Sequence, residues 1–254
     1  MKVRLPNFFS IKQATDLVRI GRDYDGGYLV SNSDIQKTDV LIGLGVNDDW
    51  SFEEDFLSEK KVSIYAYDAS VSKNFFLRQL IKSAVRIDNL KIFAHWLNVF
   101  LKYKKFFSLS NVHHIQKFVG LNSKSNQHCT FLDILNEVES KNIFLKIDIE
   151  GSEYRFLNDI ITNEDRVTGI VIELHDVDLY LKEIENFISR CSLNLVHVHA
   201  NNYAPIRADD DLPTVLELTF SKYSTNSVQY KLPHNLDMPN NKNYSEYEIS
   251  INEV

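Results

Sequence analysis

Short apolar runs that are typical of strands alternate along the chain with segments of helical periodicity. The predicted strands lie at residues 28–30, 39–46, 62–70, 111–120, 143–149, 168–176, 193–202 and 214–223. The predicted helices lie at residues 10–20, 71–110, 129–138 and 177–191, with further helices starting near positions 51 and 153. Strands that alternate with helices and end in two consecutive strands predict a single α/β domain over residues 1–254.

Two of the predicted helices begin with capping residues. Ser10 and Gln13 have the spacing of a capping box, and Ser51 and Glu54 have the same spacing further along the chain. In such a box two side chains bind free backbone N–H groups of the first helical turn. We therefore expect helices at both positions, the first of them ending at Gly21.

A central strand is expected at residues 143–149, where apolar residues form a nearly continuous run. Lys146, Asp148 and Glu150 alternate with the apolar positions and therefore share one side of the pleat. Ligands of open α/β sheets bind at the carboxyl ends of the strands, which makes Asp148 and Glu150 candidate site residues. The alternative is that both acids are solvated loop residues paired with Lys146.

A glycine turn joins the apolar strand at residues 39–46 to the helix that starts at Ser51. Gly43 and Gly45 lie in this turn, and the next strand ends at Asp68, 23 residues after Gly45. This is close to the ~20-residue spacing at which an acid meets the ribose diol of a bound nucleotide. The sequence therefore indicates a nucleotide-binding βαβ unit.

The residues after the glycine turn bear on which nucleotide binds. Asp48 stands where a dinucleotide-binding turn has its third glycine, and Asp49 follows it. Two carboxylates at a helix N-terminus repel a pyrophosphate. S-adenosylmethionine (SAM) has no phosphate and carries a sulfonium and an ammonium, so the acidic turn favours SAM over NAD.

The segment RDYDGGYLV at residues 22–30 has two explanations. Gly26 and Gly27 are a hairpin-turn signal ahead of an extended run. The same glycines, together with Asp23 and Asp25, would also allow a close approach to a ligand. The motif alone does not decide between the two.

Composition and charge narrow the class of protein. The net charge of −7 argues against nucleic acid as a partner. Cys129 and Cys191 fit no metal or redox spacing, and reduced thiols are typical of cytoplasmic proteins. The N-terminus lacks the apolar core of a signal peptide, and the most apolar window, at residues 92–101, is too short to span a bilayer. We therefore expect a cytoplasmic protein.

The segment at residues 71–110 differs from the rest of the chain in charge. It contains eight basic residues and one acid, Asp88, which gives a formal charge of +7 within an acidic chain. One interpretation is an amphipathic helix pair with a solvated basic face. Another is a cap-like helical insertion that attracts an anionic substrate. A basic amphipathic helix can also lie on a membrane surface.

Six sequence blocks between residues 19 and 203 form a recognisable series. They are RIGRDYDGGYLV, DVLIGLGVNDDWSFE, IYAYDAS, FLKIDIEGSEYRFL, GIVIELHD and LVHVHANNY. In this order they resemble the FkbM-type family of class I SAM-dependent methyltransferases. The resemblance implies a Rossmann-like, seven-stranded, mostly parallel sheet with helices on both faces and a reversed hairpin at one end. It also implies O-methylation of sugars or polyketide-type hydroxyls.

The resemblance also implies a cofactor site. Gly43 and Gly45 would line the cofactor, Asp68 would bind the ribose hydroxyls, and Asp148 would lie beside the sulfonium. The predicted cofactor-binding set is Gly43, Gly45, Asp68, Ala69, Asp148 and Glu150. The absence of the third glycine departs from the nucleotide-binding pattern.

A hydroxyl acceptor must lose a proton during methyl transfer, which requires a general base. His175 ends a predicted strand near Asp148 and is the first candidate, and His199 is the second. The predicted catalytic residues are His175, Asp148 and His199, and the predicted acceptor-binding residues are Asp25, Tyr28, Glu173, Asn201 and Asn202. Asp148, Glu173, His175 and His199 could instead bind a divalent metal, but no compact ligand spacing supports this, and no metal site is predicted.

The predicted function is a SAM-dependent O-methyltransferase that acts on a sugar hydroxyl, with an anionic or phosphate-linked sugar favoured by the basic segment. An NAD-linked sugar dehydrogenase is one alternative. A non-catalytic nucleotide-sugar or membrane-surface binding module is another, and membrane association is not favoured. Residues 224–254 are polar and are expected to form a loop-rich tail. The sequence leaves the oligomeric state open.

Overall fold

The structure is a computed structural model, and it describes residues 1–12, 14–85, 90–120, 125–224 and 231–251. The strands are β1 Lys2–Leu5, β2 Leu17–Ile20, β3 Tyr28–Ser31, β4 Val40–Leu44, β5 Ser63–Tyr67, β6 Val112–Ile115, β7 Phe118–Val119, β8 His128–Cys129, β9 Ile143–Ile147, β10 Val167–Leu174, β11 Asn194–Ala200, β12 Leu216–Ser221 and β13 Glu248–Ile251. The α-helices are α1 Asn32–Lys37, α2 Ser51–Glu59, α3 Lys73–Val85, α4 Leu90–Phe106, α5 Phe131–Glu137, α6 Leu157–Thr162 and α7 Leu181–Arg190. Short 3-10 helices lie at Asn7–Phe9, Glu153–Arg155 and Glu164–Arg166.

A seven-stranded sheet forms the centre of the fold, with strand order β11-β12-β10-β9-β4-β5-β6. β12 runs antiparallel to both of its neighbours, and the other pairs in this sheet are parallel. Strands β4, β9 and β10 are buried along their whole length, which explains their continuous apolar runs. The predicted fold class, with its reversed strand near one end of the sheet, is confirmed.

Helices cover both faces of this sheet. The core on one face takes buried side chains from α1 to α4, namely Ile35, Phe52, Phe76 and Tyr103 among others. The core on the other face takes them from α5 to α7, including Phe131, Ile160 and Phe187. The sheet is thus shielded from water on both sides, and its polar residues emerge mainly at the strand ends.

The strand register brings the candidate residues to one edge of the sheet. Leu44 at the end of β4 pairs with Tyr67 at the end of β5 and with Ile147 at the end of β9. The parallel pairing of β9 with β10 continues this alignment. Gly45, Asp68 and Asp148 directly follow the last residues of these three strands, so they lie close together at the carboxyl edge of the sheet.

The predicted helix at residues 10–20 is wrong. Leu17–Ile20 is strand β2, which pairs antiparallel with β3 across the Gly26-Gly27 turn. Gln13 lies outside the described residues, so the predicted capping box is not described. The apolar spacing fits a strand as well as a helix here, and pairing with β3 decides between them. The RDYDGGYLV segment therefore contains the predicted hairpin turn, and its Asp25 and Gly26 also line the cleft described below.

One predicted helix cap and two predicted helix starts differ from those in the structure. α2 does start at Ser51, but Trp50 is its N-cap residue and makes no side-chain cap. The segment after β9 passes through Glu150 and Gly151, both at positive φ, and through a 3-10 helix before α6 begins at Leu157. α7 begins at Leu181, four residues later than expected, because the preceding residues form turns.

The basic segment 71–110 contains two helices, and the tail contains one strand. α3 and α4 form the crossover from β5 to β6 and bury Phe76, Val99 and Tyr103 in the core. In the tail, β13 pairs in parallel with β1 at the N-terminus. Across the described ranges, the structure has no helix whose length and apolar character would suffice to cross a membrane.

Candidate active site

A cleft of about 560 Å³ lies at the carboxyl edge of the sheet. It is lined by the turn before β3, by the loops that follow β4, β5 and β9, and by the end of β10. Pockets for small ligands in proteins commonly have volumes of about 300–1,000 Å³. The cleft is therefore large enough for a nucleoside-sized ligand.

Gly45 lets two loops meet at the base of the cleft. Its φ is +81°, and a Cβ added there would lie 1.8 Å from the carbonyl oxygen of Asp148. Only glycine fits such an approach. Gly43 differs, because its missing side chain makes room for the buried carboxylate of Glu53, whose Oε1 would lie 2.6 Å from an added Cβ. Gly43 is not among the residues that line the cleft.

Asp68 fixes the loop after β4 through its carboxylate. Oδ2 accepts hydrogen bonds from the N–H groups of Val46 at 3.1 Å and Asn47 at 2.8 Å. Oδ1 accepts from the N–H of Ser70 at 2.7 Å and from its hydroxyl at 2.6 Å. Burial raises the pKa of Asp68, but these hydrogen bonds outweigh it and lower the pKa below its ordinary value. Asp68 therefore remains ionised and organises the edge of the cleft.

A buried cation lies beneath the glycine turn. The Lys146 Nζ donates to the carbonyl oxygen of Gly45 at 2.6 Å and lies 3.7 Å from Asp148 Oδ2. Burial lowers the pKa of Lys146, but Asp148 and Glu53 outweigh it and raise the pKa. Burial also raises the pKa of Glu53 to about 7, although Lys146 opposes this shift. Lys146 thus offsets part of the negative charge at the strand ends.

Tyr28 connects two carboxylates in the wall of the cleft. Its hydroxyl lies 3.3 Å from Asp148 Oδ2 and 3.3 Å from Glu173 Oε2. The other oxygen of Glu173 accepts a hydrogen bond from the Asn201 amide at 3.1 Å. Burial, followed by the charges of Asp148 and Glu217, raises the pKa of Glu173 well above its ordinary value. Glu173 is thus a positioned carboxyl group that takes up a proton unusually easily.

His175 is held by three glutamates behind the cleft. Its Nδ1 lies 3.1 Å from Glu153 Oε1, and its Nε2 lies 3.4 Å from Glu150 Oε2 and 3.6 Å from Glu173 Oε1. Burial lowers the pKa of His175, but the hydrogen bond and charge of Glu153 outweigh it and raise the pKa to about 9. His175 is therefore a cation at neutral pH. A general base must be unprotonated, so this placement disfavours the predicted role of His175 as the base.

The His175 ion pairs give a test by pH. The charged imidazole is favoured in the folded state, so it stabilises the protein fully below about pH 6.5, and this stabilisation is lost as pH rises through about 9. A shift of this size corresponds to at most about 3 kcal/mol. His175→Gln should flatten the fall in unfolding free energy between these pH values, measured by urea denaturation.

The exposed His95 provides the matched variant for this test. His95→Gln should leave the pH dependence of the unfolding free energy as it is in the wild type. If His175→Gln loses the same stability at pH 6 and pH 9.5, the carboxylates do not hold a charged imidazole.

His199 lies in a second buried cluster and is not among the residues that line the cleft. Its Nδ1 is 3.0 Å from Glu217 Oε2, and its Nε2 is 3.1 Å from Glu246 Oε1 in the tail. Burial lowers the pKa of His199, but Glu217 outweighs it and raises the pKa well above its ordinary value. Asn240 of the tail also donates to Glu217, at 2.7 Å. The tail is therefore fastened to the sheet, and His199 fits this structural role better than catalysis.

A group of possible metal ligands is formed by Asp148, Glu173 and His175. One ligand atom from each lies within 4.8 Å of the others, which the sequence spacing did not indicate. A metal bound there would displace the proton that Glu153 and Glu173 favour on His175.

The predicted site residues divide into two groups. The cleft lining includes Asp25, Tyr28, Gly45, Asp68, Asp148, Glu150 and Glu173. The predicted residues outside the lining are Gly43, Ala69, His175, His199, Asn201 and Asn202. Asn201 supports Glu173 from behind, and Asn202 donates to backbone carbonyls of the tail. Asn201 thus holds the Glu173 carboxyl group in place, and Asn202 holds the tail.

Sequence reasoning missed several residues of the site. Arg22 pairs with Asp49 at 3.0 Å, and Lys117 and Arg155 also line the cleft. Glu153 was expected at a helix start, yet its carboxylate accepts backbone N–H groups and contacts His175. No local pattern marks Arg22 and Glu153 as site residues, because Asp49 and His175, which they contact, lie further along the chain.

The charge of the cleft is mainly negative. Eight carboxylates and four lysine or arginine residues line it, and none of the lining residues comes from the basic segment 71–110. The acids surround Tyr28 and the glycine turn. This distribution matches a ligand with positive charge, such as a sulfonium or an ammonium, better than a phosphate.

One family model matches part of the sequence. The model described as "Methyltransferase FkbM domain" matches residues 100–195. This segment runs from α4 into β11 and includes Asp148, Glu173 and His175. The match confirms the predicted FkbM-type methyltransferase domain, and with it the predicted enzyme class and cofactor, SAM. No curated protein matches the chain.

Three solved structures are distantly similar to this one. Precorrin-6y C5,15-methyltransferase from Geobacter metallireducens GS-15 is 12% identical, with a TM-score of 0.39, over 75% of this chain and 86% of that chain. The Methanococcus jannaschii fibrillarin pre-rRNA processing protein is 11% identical, with a TM-score of 0.39, over 76% and 70%. TrmK from M. capricolum, in complex with S-adenosyl-homocysteine, is 14% identical, with a TM-score of 0.35, over 78% and 70%. These values are too low to relate the substrates of those proteins to this one.

Proposed function

We propose that this protein transfers the methyl group of SAM to a hydroxyl of a sugar in the cleft at the carboxyl edge of the sheet. One observation carries the proposal. The glycine turn with Asp68 and the Tyr28–Asp148–Glu173 group face the same cleft, so a nucleoside site and a proton-accepting site adjoin each other. The free thiols of Cys129 and Cys191 are consistent with a cytoplasmic location.

The residues at one end of the cleft fit the cofactor. Gly45 presents bare backbone, and Asp68 lies at the end of β5, where a ribose diol is expected. All the acceptor sites of Asp68 are used by the loop, so a ribose hydroxyl would take the place of the Ser70 hydroxyl. Phe118 lies against His128 and offers an aromatic face for adenine. SAM supplies an electrophilic methyl group and a positively charged sulfonium.

The acceptor half of the cleft lies around Tyr28, Asp148 and Glu173. Asp25 and Tyr28 are placed to orient the acceptor, while Asp148 offers negative charge to the sulfonium. Glu173 accepts the proton of the acceptor hydroxyl, because its pKa is raised and it stands in the cleft wall. A positive charge bound beside Glu173 favours its ionised form, so cofactor binding prepares the base. His175 then acts as a positioning residue behind Glu173.

The acceptor is proposed to be uncharged at its reacting end. An anionic sugar was expected because of the basic segment, but that segment contributes no residue to the cleft lining. A phosphate next to Asp25, Asp148 and Glu173 would be repelled. Any phosphate linkage of the acceptor must therefore lie outside this half of the cleft.

Calorimetry and methyl transfer together test the proposed function. Titration with S-adenosylhomocysteine should show binding, whereas NAD should not bind, because Asp48 and Asp49 oppose its pyrophosphate. Radiolabelled methyl groups should pass from SAM to neutral sugars more readily than to sugars phosphorylated next to the accepting hydroxyl. NAD binding without S-adenosylhomocysteine binding would favour the dehydrogenase alternative. Labelling of nucleic acid but of no sugar would reject the sugar acceptor.

Asp68→Asn should weaken SAM binding about 10- to 100-fold. The substitution removes a charge that accepts four hydrogen bonds in the loop, and hydrogen bonds to charged groups contribute roughly 1.5–3 kcal/mol. Calorimetry with S-adenosylhomocysteine measures the effect, and Asp23→Asn, at an exposed position, is the matched variant. Equal dissociation constants for the two folded variants would remove Asp68 from the cofactor site.

A further inference from the structure

The crossover helices α3 and α4 expose apolar side chains to solvent. On α3 the exposed fractions are 56% for Ile81 and 76% for Val85, and Leu77 is exposed one turn before Ile81. On α4 they are 77% for Leu90 and 55% for Leu101. A helix on the surface of a soluble protein normally presents polar residues there. This surface, which we call the α3–α4 face, is therefore unusually apolar for a surface in contact with water.

The exposed side chains of both helices point the same way. Helical spacing at 3.6 residues per turn places Ile81 and Val85 opposite the buried Phe76. It likewise places Leu90 and Leu101 opposite residues of α4 that are buried, namely Val99, Tyr103 and Phe106. Phe76 and the buried residues of α4 enter the same core. The apolar stripes therefore lie together on the outer side of the helix pair.

Basic residues flank these stripes. The described parts of residues 71–110 contain seven lysine or arginine residues and no acid, and all seven are exposed: Lys73, Arg78, Lys82, Lys91, Lys102, Lys104 and Lys105. The chain as a whole has a net charge of −7. Positive charge is thus concentrated on the α3–α4 face, and the cleft does not use it.

We propose that the α3–α4 face binds the surface of an anionic lipid bilayer. Aliphatic side chains enter the boundary between headgroups and acyl chains, while lysine and arginine contact the acidic headgroups. A nucleic acid would use the basic residues but would leave the leucine, isoleucine and valine side chains in water. A second copy of the chain on the same face would bring like charges together. An anionic lipid surface matches both the apolar and the basic side chains of this face.

Co-sedimentation with lipid vesicles tests this proposal without any measurement of methyl transfer. The full chain should sediment with vesicles of phosphatidylcholine and phosphatidylglycerol and far less with pure phosphatidylcholine. Lys102→Gln, Lys104→Gln and Lys105→Gln combined should lower the partition coefficient about a hundredfold, since each lysine near an anionic surface contributes about fivefold. Ile81→Gln combined with Leu101→Gln should lower it roughly tenfold.

Matched variants elsewhere on the surface show whether vesicle binding depends on the α3–α4 face or only on the total charge and exposed apolar area of the protein. Lys37→Gln, Lys61→Gln and Lys141→Gln remove the same charge, and Leu132→Gln with Leu179→Gln removes exposed leucines. Both sets should bind vesicles as the wild type does. Circular dichroism verifies that each variant is folded. The proposal is overturned if the wild type ignores anionic vesicles, if the matched sets lose as much binding, or if the basic face binds RNA instead of lipid.

Discussion

Glu173→Gln is expected to lower kcat by about 10²–10⁴-fold, the usual contribution of a positioned general base. Glutamine keeps the size of the side chain and its contacts with Tyr28 and Asn201, but it cannot accept a proton from the acceptor. The dissociation constant of SAM should rise far less than kcat falls, because the ionised Glu173 adds only part of the negative charge around the sulfonium, whereas proton transfer depends on it directly. Single-turnover kinetics, with calorimetry for SAM binding, measure the two effects separately.

The pH dependence of the methyl-transfer rate gives a second test of Glu173 as the base. A base must be ionised, so the wild-type rate should rise as pH increases through the raised pKa of Glu173, and Glu173→Gln should lose this rise. Glu150→Gln is the matched variant, because Glu150 also lines the cleft and lies near His175 but is highly exposed. Near-normal turnover in Glu173→Gln would contradict the role of Glu173 as the base. Asp148 would then be the next candidate for the proton acceptor, and Asp148→Asn would test it.

Gly45→Ala should destabilise the protein by about 3–5 kcal/mol and abolish detectable SAM binding. A non-glycine residue at positive φ costs about 1–3 kcal/mol, and the new methyl group would also overlap the Asp148 carbonyl oxygen. The ends of β4 and β9 would have to separate, which would displace the donors that bind Asp68. Urea denaturation and calorimetry with S-adenosylhomocysteine measure the two losses.

Gly120→Ala provides the matched variant for this substitution. Among the described residues, a Cβ at Gly120 would meet only the Arg155 side chain, at 3.8 Å, an ordinary contact distance. Its stability should stay within about 1 kcal/mol of the wild type. If Gly45→Ala is as stable as Gly120→Ala and binds S-adenosylhomocysteine equally well, the glycine turn does not require its close approach to Asp148.

Much of the fold could be predicted because its signals are local. Continuous apolar runs in β4, β9 and β10 reflect burial on both faces, and a strand–glycine–helix pattern is specified within one short segment. Residues that end parallel strands must share one edge, so Asp68 and Asp148 could be placed there from the sequence. The helix predicted at residues 10–20 failed because its spacing fits two structures and only pairing with β3 selects one.

The roles of the titratable residues depend on contacts between distant parts of the chain. His175 looked like a base from its position at a strand end, but Glu153 and Glu173 make it a cation. His199 was also a candidate base from its position in a predicted strand, yet in the structure it pairs with Glu246 of the tail. A pKa depends on the charges and burial around a group in three dimensions, which a linear pattern does not contain.

The sequence by itself determined the α/β class, the glycine turn, the acids at the strand ends and the FkbM-type resemblance, because neighbouring residues encode all four. Only the tertiary structure decided that Glu173 stands in the cleft beside Tyr28, 145 positions away in the chain. It also decided that the basic segment lies outside the cleft. The physical reason is that strand order and helix packing bring distant side chains together, and these contacts set the charge and protonation of the site.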